Sequence, residues 1–266
     1  IEADPITTMQ FKGGVLYDIG NALSFFNFIP IIGKTSDESD IWFNFGLIDK
    51  APIFDQVIQD WDAKMSTDPK NEKFTAFEFG INSNSNDGTM AAKFNLYSTT
   101  WSDRIATRTV ENIDGDEDII YLSGINQNHT GIEFEFSAQI NDMFRLDLGA
   151  GLGNWVYTDD ATGTYRDSDG SDANYSYALK DLKVGDMPQG NLAIGITASP
   201  VDDSKIQLLY RYYALHYSDW SPTSREFSEG STSADRTQSW RSPKYGLLDL
   251  NASYKLPVEY NGVKPE

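Results

Sequence analysis

The stretch 131–157, GIEFEFSAQINDMFRLDLGAGLGNWVY, constrains the fold more than any other part of the chain. Ile132, Phe134, Phe136, Ala138 and Ile140 alternate with Glu133, Glu135, Ser137 and Gln139. After Asn141-Asp142, Phe144, Leu146, Leu148, Ala150 and Leu152 alternate with Arg145, Asp147 and three glycines. A period of two places each set on one face of an extended strand. Asn and Asp tolerate turn dihedrals and bond their own backbone, so the two arms form a hairpin. Its apolar face needs either the core of a soluble sandwich or lipid, with the polar face lining a wet lumen in the second case. Each arm alternates over about 10 residues, the length a tilted strand needs to cross a bilayer. Soluble strands average about 5–6. Trp155 and Tyr157 close the upper end, where an interfacial aromatic girdle is expected.

The pattern recurs. Alternation predicts strands over 8–18, 41–47, 73–83, 89–101, the two central arms, 191–199, 205–218 and 245–256, nine in all. Residues 19–40, with the apolar run 24–32 interrupted by Pro30, read as irregular, because proline is unfriendly to a central strand. A short helix is expected around 54–61. From the second strand on, tight connections (84–88, 141–142, 200–204) alternate with long ones (49–72, 103–118, 158–190, 219–244). Outer-membrane barrels sort their loops in this way, short on the periplasmic side and long outside. The expected fold is therefore all-β, an antiparallel transmembrane β-barrel, with 1–266 a single barrel region. Nine is an odd count and a barrel must close, because orphaned strand edges in lipid cost several kcal/mol per backbone group. Further strands are expected on both sides of the sequence.

Composition supports the exclusions. No run approaches 18 apolar residues, so no transmembrane helix is expected, which leaves a barrel open. Acidic residues outnumber basic ones 40 to 21, giving a net charge of −19. That argues against a nucleic-acid partner, which needs clustered Lys and Arg. It also argues against a helix lying on anionic lipid. The absence of cysteine removes disulfides, thiolate metal sites and thiol nucleophiles. The start, Ile1-Glu2-Ala3-Asp4-Pro5, has neither the basic nor the apolar segment of a signal peptide. Either the signal was removed or the sequence begins within a longer chain.

Five stretches together resemble TonB-dependent outer-membrane receptors, in particular the C-terminal barrel portion of the Bacteroidetes-like type. They are NEKFTAFEFGINSNSNDGTMAAKFNLYSTTWSDR (71–104), GINQNHTGIEFEF (124–136), LKDLKVGDMPQGNLAIGI (179–196), YSDWSPTSRE (217–226) and DRTQSWRSPKYGLLDLNASYKLPV (235–258). They occur in the family's order and cover most of the chain from about residue 40. The resemblance implies a barrel of about 22 strands around an N-terminal plug. It further implies the bacterial outer membrane as location and uptake of a scarce nutrient (siderophore, cobalamin, peptide or glycan) energised through TonB. A surface lipoprotein is a further partner it allows. Neither plug nor TonB-contacting box lies in these residues, and fold-level analogy does not settle the ligand.

Wide barrels bind ligand with extracellular loops and the upper lumen. The candidate contacts are Trp101 and Arg104 in one loop and Trp220, Arg225, Arg236, Trp240 and Arg241 in another, since aromatic and guanidinium groups stack and form charge-assisted bonds. The competing reading makes the tryptophans girdle anchors and pairs the arginines with loop acids. Changing Trp220 and Arg225 together to Ala is expected to weaken uptake without unfolding the barrel. Asp114, Asp116, Glu117 and Asp118, and Asp167, Asp169 and Asp172, are carboxylate clusters that could supply oxygen ligands to calcium. Neither fits an EF-hand, and solvated acidic loops explain both. No catalytic residue is expected: His129 and His216 are the only histidines, and Ser218 and Asp219 beside His216 form no nucleophile motif. Glu133 and Glu135 are explained by a hydrophilic barrel wall. Two other readings stay open: a passive porin or barrel hydrolase, and a secreted soluble glycan-binding β-sandwich.

Overall fold

The computed structural model of the chain describes residues 7–20, 37–53, 70–111, 115, 117–166, 172–228 and 234–255. Nine strands form one continuous antiparallel sheet in the order β1 (Gln10–Gly20), β2 (Asp37–Lys50), β3 (Glu72–Ser85), β4 (Met90–Glu111), β5 (Glu117–Gln139), β6 (Phe144–Tyr157), β9 (Pro188–Ala198), β10 (Ser204–His216) and β12 (Tyr245–Tyr254). Between β6 and β9 lies a hairpin of β7 (Ala161–Arg166) and β8 (Asp172–Tyr177). Between β10 and β12 lie a four-residue helix α1 (Pro222–Arg225) and β11 (Glu226–Phe227). Among the described residues β1 and β12 each have one strand partner, so the sheet is open.

Register makes the nine strands one wall with two faces. Val15, Phe43, Phe79, Leu96, Ile132 and Leu152 stand opposite one another across six strands. A further row on the same face runs Phe136, Leu148, Ile194, Tyr210 and Leu248. Among the described residues no second sheet covers these rows: Phe79 is 40% exposed, Leu152 53% and Leu248 65%, while Phe136 is buried in a small cluster with Met90, Ala92 and Ala138. An uncovered apolar face this broad far exceeds the few hundred Å² that soluble proteins tolerate, so it belongs against acyl chains. The intervening residues, Glu78, Asn95, Glu133, Asp147, Asn191, Arg211 and Asp249 among them, face the lumen. The lumenal side carries cross-strand ion pairs such as Lys93–Glu135 at 3.9 Å and Arg211–Asp249 at 2.6 Å.

The tight turns close locally. At 85–90 the Asp87 carboxylate accepts from the Ser85 hydroxyl and from the Thr89 amide and hydroxyl. Those bonds, the Ser85 hydroxyl first, lower its pKa to about 2. At 139–144 Asn141 Oδ1 accepts from the amides of Met143 and Phe144.

Four segments depart from expectation. Residues 103–118 are largely not a loop: β4 runs to Glu111 and β5 starts at Glu117, and their pairing extends as a ribbon past a bulge at 101–106. The ribbon reads as polar because it stands clear of lipid and buries only one face. The long connection 158–190 contains β7 and β8, and 219–244 contains α1 and β11. Residues 37–40 join β2. The helix expected at 54–61 and the apolar run at 24–32 lie outside the described residues.

Candidate functional site

On the lumenal wall, below the long connections, β3 to β6 shape an open depression of about 370 Å³. Phe74 and Glu78 come from β3, Asn95, Tyr97, Thr99 and Trp101 from β4, His129 and Glu133 from β5, and Trp155 from β6. Each occupies a polar-face position of its strand, so the sheet register alone brings them together. Phe74 stacks on Trp101 with ring centroids 4.9 Å apart. His129 stacks on Trp155 at 5.3 Å, and the Trp155 indole N–H donates to Tyr97 Oη at 2.9 Å. His129 Nε2 lies 2.9 Å from Gln127 Oε1.

The glycines opposite these rings set their posture. A Cβ at Gly131 would stand 2.4 Å from Tyr97 Oη, and one at Gly153 would stand 2.6 Å from Trp155 Nε1. Tyr97 therefore lies down across β5, in space that only glycine leaves. The aromatic rings line the wall as a shelf, with the Glu78 and Glu133 carboxylates beside them. Glu133 accepts from Asn95 Nδ2 at 3.1 Å.

Above the shelf the long connections fold into a layer with its own core. Ile120, Leu122 and Ile125 of the ribbon pack with Tyr157, Tyr177, Leu179 and Leu182, and Trp220 packs against them. Three arginines fasten this layer. Arg108 donates to Glu226 Oε2 at 2.6 Å and to Tyr177 Oη. Arg236 grips Asp160 with two bonds, 3.0 and 2.7 Å. Buried Arg225 donates to the Asp235 carbonyl at 2.8 Å. The Arg236 guanidinium, partly opposed by burial, holds the Asp160 carboxyl below its ordinary value.

The seven contacts expected from sequence therefore do not converge. Trp101 and Arg104 are in strand β4, not in a loop. Trp101 faces the shelf, and the Arg104 guanidinium lies 4.9 Å above its ring, so Trp101 is no girdle anchor. Trp220 and Arg225 are internal to the loop layer and Arg236 lies exposed on it, and both arginines bind loop acids. Trp240 is 67% exposed, and Arg241 forms an isolated bridge with Tyr217. Trp155 and Tyr157 also point to the lumenal side, against the girdle expectation. Counting by two from Arg145 and Asp147 puts them there, and counting from Lys93 and Asn95 puts Trp101 there. That signal was present in the sequence for Tyr97, His129 and Trp155 too, although nothing in it showed that they meet. Of the proposed calcium ligands, Asp114, Asp116, Asp167 and Asp169 lie outside the described residues, as do the side chains of Asp118 and Asp172. Among the described residues no group of three or more His, Cys, Asp or Glu could hold a metal ion.

Comparison with known proteins bears on the whole wall. No curated protein sequence matches the chain. A solved structure titled "Copper transporter OprC" shares the fold with a TM-score of 0.55 at 16% identity over 84% of this chain. The match covers 30% of the OprC chain, so this chain spans about a third of the length of that neighbour. Residues 37–264 match the family described as TonB dependent receptor-like, beta-barrel. With that match over most of its length, and with an apolar face turned to lipid on one continuous antiparallel wall, the chain belongs to the TonB-dependent receptor-like β-barrel family of the bacterial outer membrane.

Proposed function

We propose that this wall is part of a TonB-dependent receptor that imports a nutrient across the outer membrane, without catalysis, and that the lumenal shelf lies on the ligand's path. The carrying observation is the convergence of Phe74, Tyr97, Trp101 and Trp155 with two carboxylates on the lumenal side, directly under a folded loop layer. Aromatic faces and acceptors at the mouth of a wide barrel suit transient binding of a solute on its way inward. Coupling to TonB, a plug inside the lumen and the remaining strands are properties of the whole receptor, and family membership supports them. The resemblance to Bacteroidetes-like receptors supports a nutrient cargo and a surface lipoprotein partner. The copper in the neighbour's title is not carried over, because a likeness at 16% identity shows the fold alone.

The test is uptake in cells carrying the full-length receptor. A strain lacking the receptor is expected to lose import of its cargo. Tyr97→Leu with Trp155→Leu is expected to lower uptake at least tenfold with surface levels unchanged. Uptake unchanged in that variant removes the shelf from the path.

A further inference from the structure

We infer that the shelf selects an organic cation, a ligand bearing an ammonium or similar group, over neutral or anionic solutes. The inference rests on the reading of the shelf as part of the ligand path and adds the charge class of what passes.

The charge census around the depression carries it. Glu78 and Glu133 both border the aromatic rings. Among the described residues neither has an ion-pair partner. The basic groups on the surrounding strands are committed elsewhere. Lys50 pairs with Glu72 at 3.1 Å, Lys73 with Asp103 at 3.5 Å and Lys93 with Glu135 at 3.9 Å. Arg145 pairs with Asp147 at 2.9 Å. Arg104 reaches the site, and it does so as a cation over an aromatic face, 4.9 Å from the Trp101 centroid. Among the described residues the two carboxylates beside Tyr97 and Trp155 thus have no ion-pair partner, and the cation that reaches the depression, Arg104, sits over Trp101 rather than against either of them. His129, which can also carry charge, is occupied by its stack on Trp155 and its contact to Gln127.

Aromatic rings attract cations through their negative faces, and carboxylates at the rim add Coulombic attraction. The same groups repel an anionic chelate. A neutral sugar would gain from stacking but nothing from the excess charge.

The test measures binding of choline and of its neutral isostere, 3,3-dimethylbutan-1-ol, to the full-length receptor in detergent micelles by titration calorimetry, with maltose as a third probe. Choline is expected to bind at least tenfold more tightly than the isostere, an advantage lost in the double variant Glu78→Gln, Glu133→Gln. Tyr97→Leu is expected to weaken choline several-fold with the carboxylates intact, which covers the case where the double variant folds poorly. Equal binding of choline and the isostere, choline binding unchanged in the double variant, or binding of maltose alone overturns the inference. Failure to bind choline by a receptor that still imports its cargo sinks the cation reading only. Choline binding by a receptor whose deletion affects no uptake sinks the transport reading only.

Discussion

At the scale of single residues, a ring and the glycine beneath it act as one unit. Tyr97 can lie across β5 because position 131 has no side chain. A Cβ there would also meet the Leu152 carbonyl oxygen at 2.8 Å, so the backbone cannot simply yield. Gly131→Val is therefore expected to lift Tyr97, break its bond to Trp155 and destabilise the folded wall by about 1–3 kcal/mol. Denaturant titration followed by tryptophan emission reads both effects, and unchanged emission would show that the ring does not depend on the glycine. Asp160 is the second residue whose neighbours decide its chemistry. Its folded pKa lies below the ordinary 3.8, chiefly through Arg236. A lowered folded pKa means that the clasp contributes stability above the unfolded value, and loses it as pH falls through the folded one. Protease sensitivity of the loop layer should thus be flat down to about pH 4 and rise below it. In Arg236→Gln the layer should already be sensitive at neutral pH, with little further change on acidification.

At the scale of elements, the loop layer behaves as a small folded unit set on a barrel wall. Trp220 contributes to its core and Arg225 is buried, so the double change to Ala is expected to act on folding of the layer. Truncating a partly buried tryptophan costs on the order of 2–3 kcal/mol, and removing Arg225 unties residues 225 and 235. Limited proteolysis should then cut within 216–245 while the barrel keeps its thermal midpoint. Equal loss of midpoint would mean that loop layer and wall unfold together. The β4–β5 ribbon gives the layer its platform: Ile120 and Leu122 supply the buried face, and Ser123 pairs with Thr162 to attach the β7–β8 hairpin. Gly124 has a φ of +79°, and a Cβ there would press on the Asp160 carbonyl oxygen at 2.8 Å. Glycine at that position lets the ribbon turn against the hairpin.

At the scale of the whole molecule, one wall separates two solvents. An arginine at Phe134 would face acyl chains and is expected to cost about 2–4 kcal/mol. The same arginine at Ser137, three positions along β5, would face the wet side and should cost little. Refolding of the full-length receptor into lipid bilayers measures the contrast, and equal costs at the two positions would contradict the assignment of faces.

β7, β8, β11 and the β4–β5 ribbon lie in segments that alternation left as loops, but the strand class, the nine strands of the wall, its tight turns and the lipid-facing side of each strand were legible in the residues alone. All of these follow from short-range alternation, because the side-chain period of a strand is fixed at two and lipid punishes any break in it. Alternation also carried the inward parity of Trp101 and Trp155. Who meets whom was settled by the folded arrangement. Phe74 and Trp101 are 27 positions apart, Tyr97 and Trp155 are 58, and Arg236 and Asp160 are 76. Register across four strands assembles the first two pairs, and folding of polar segments onto a ribbon assembles the third. Neither leaves a periodic mark, because polar residues outside the lipid are free of the constraint that made the barrel legible.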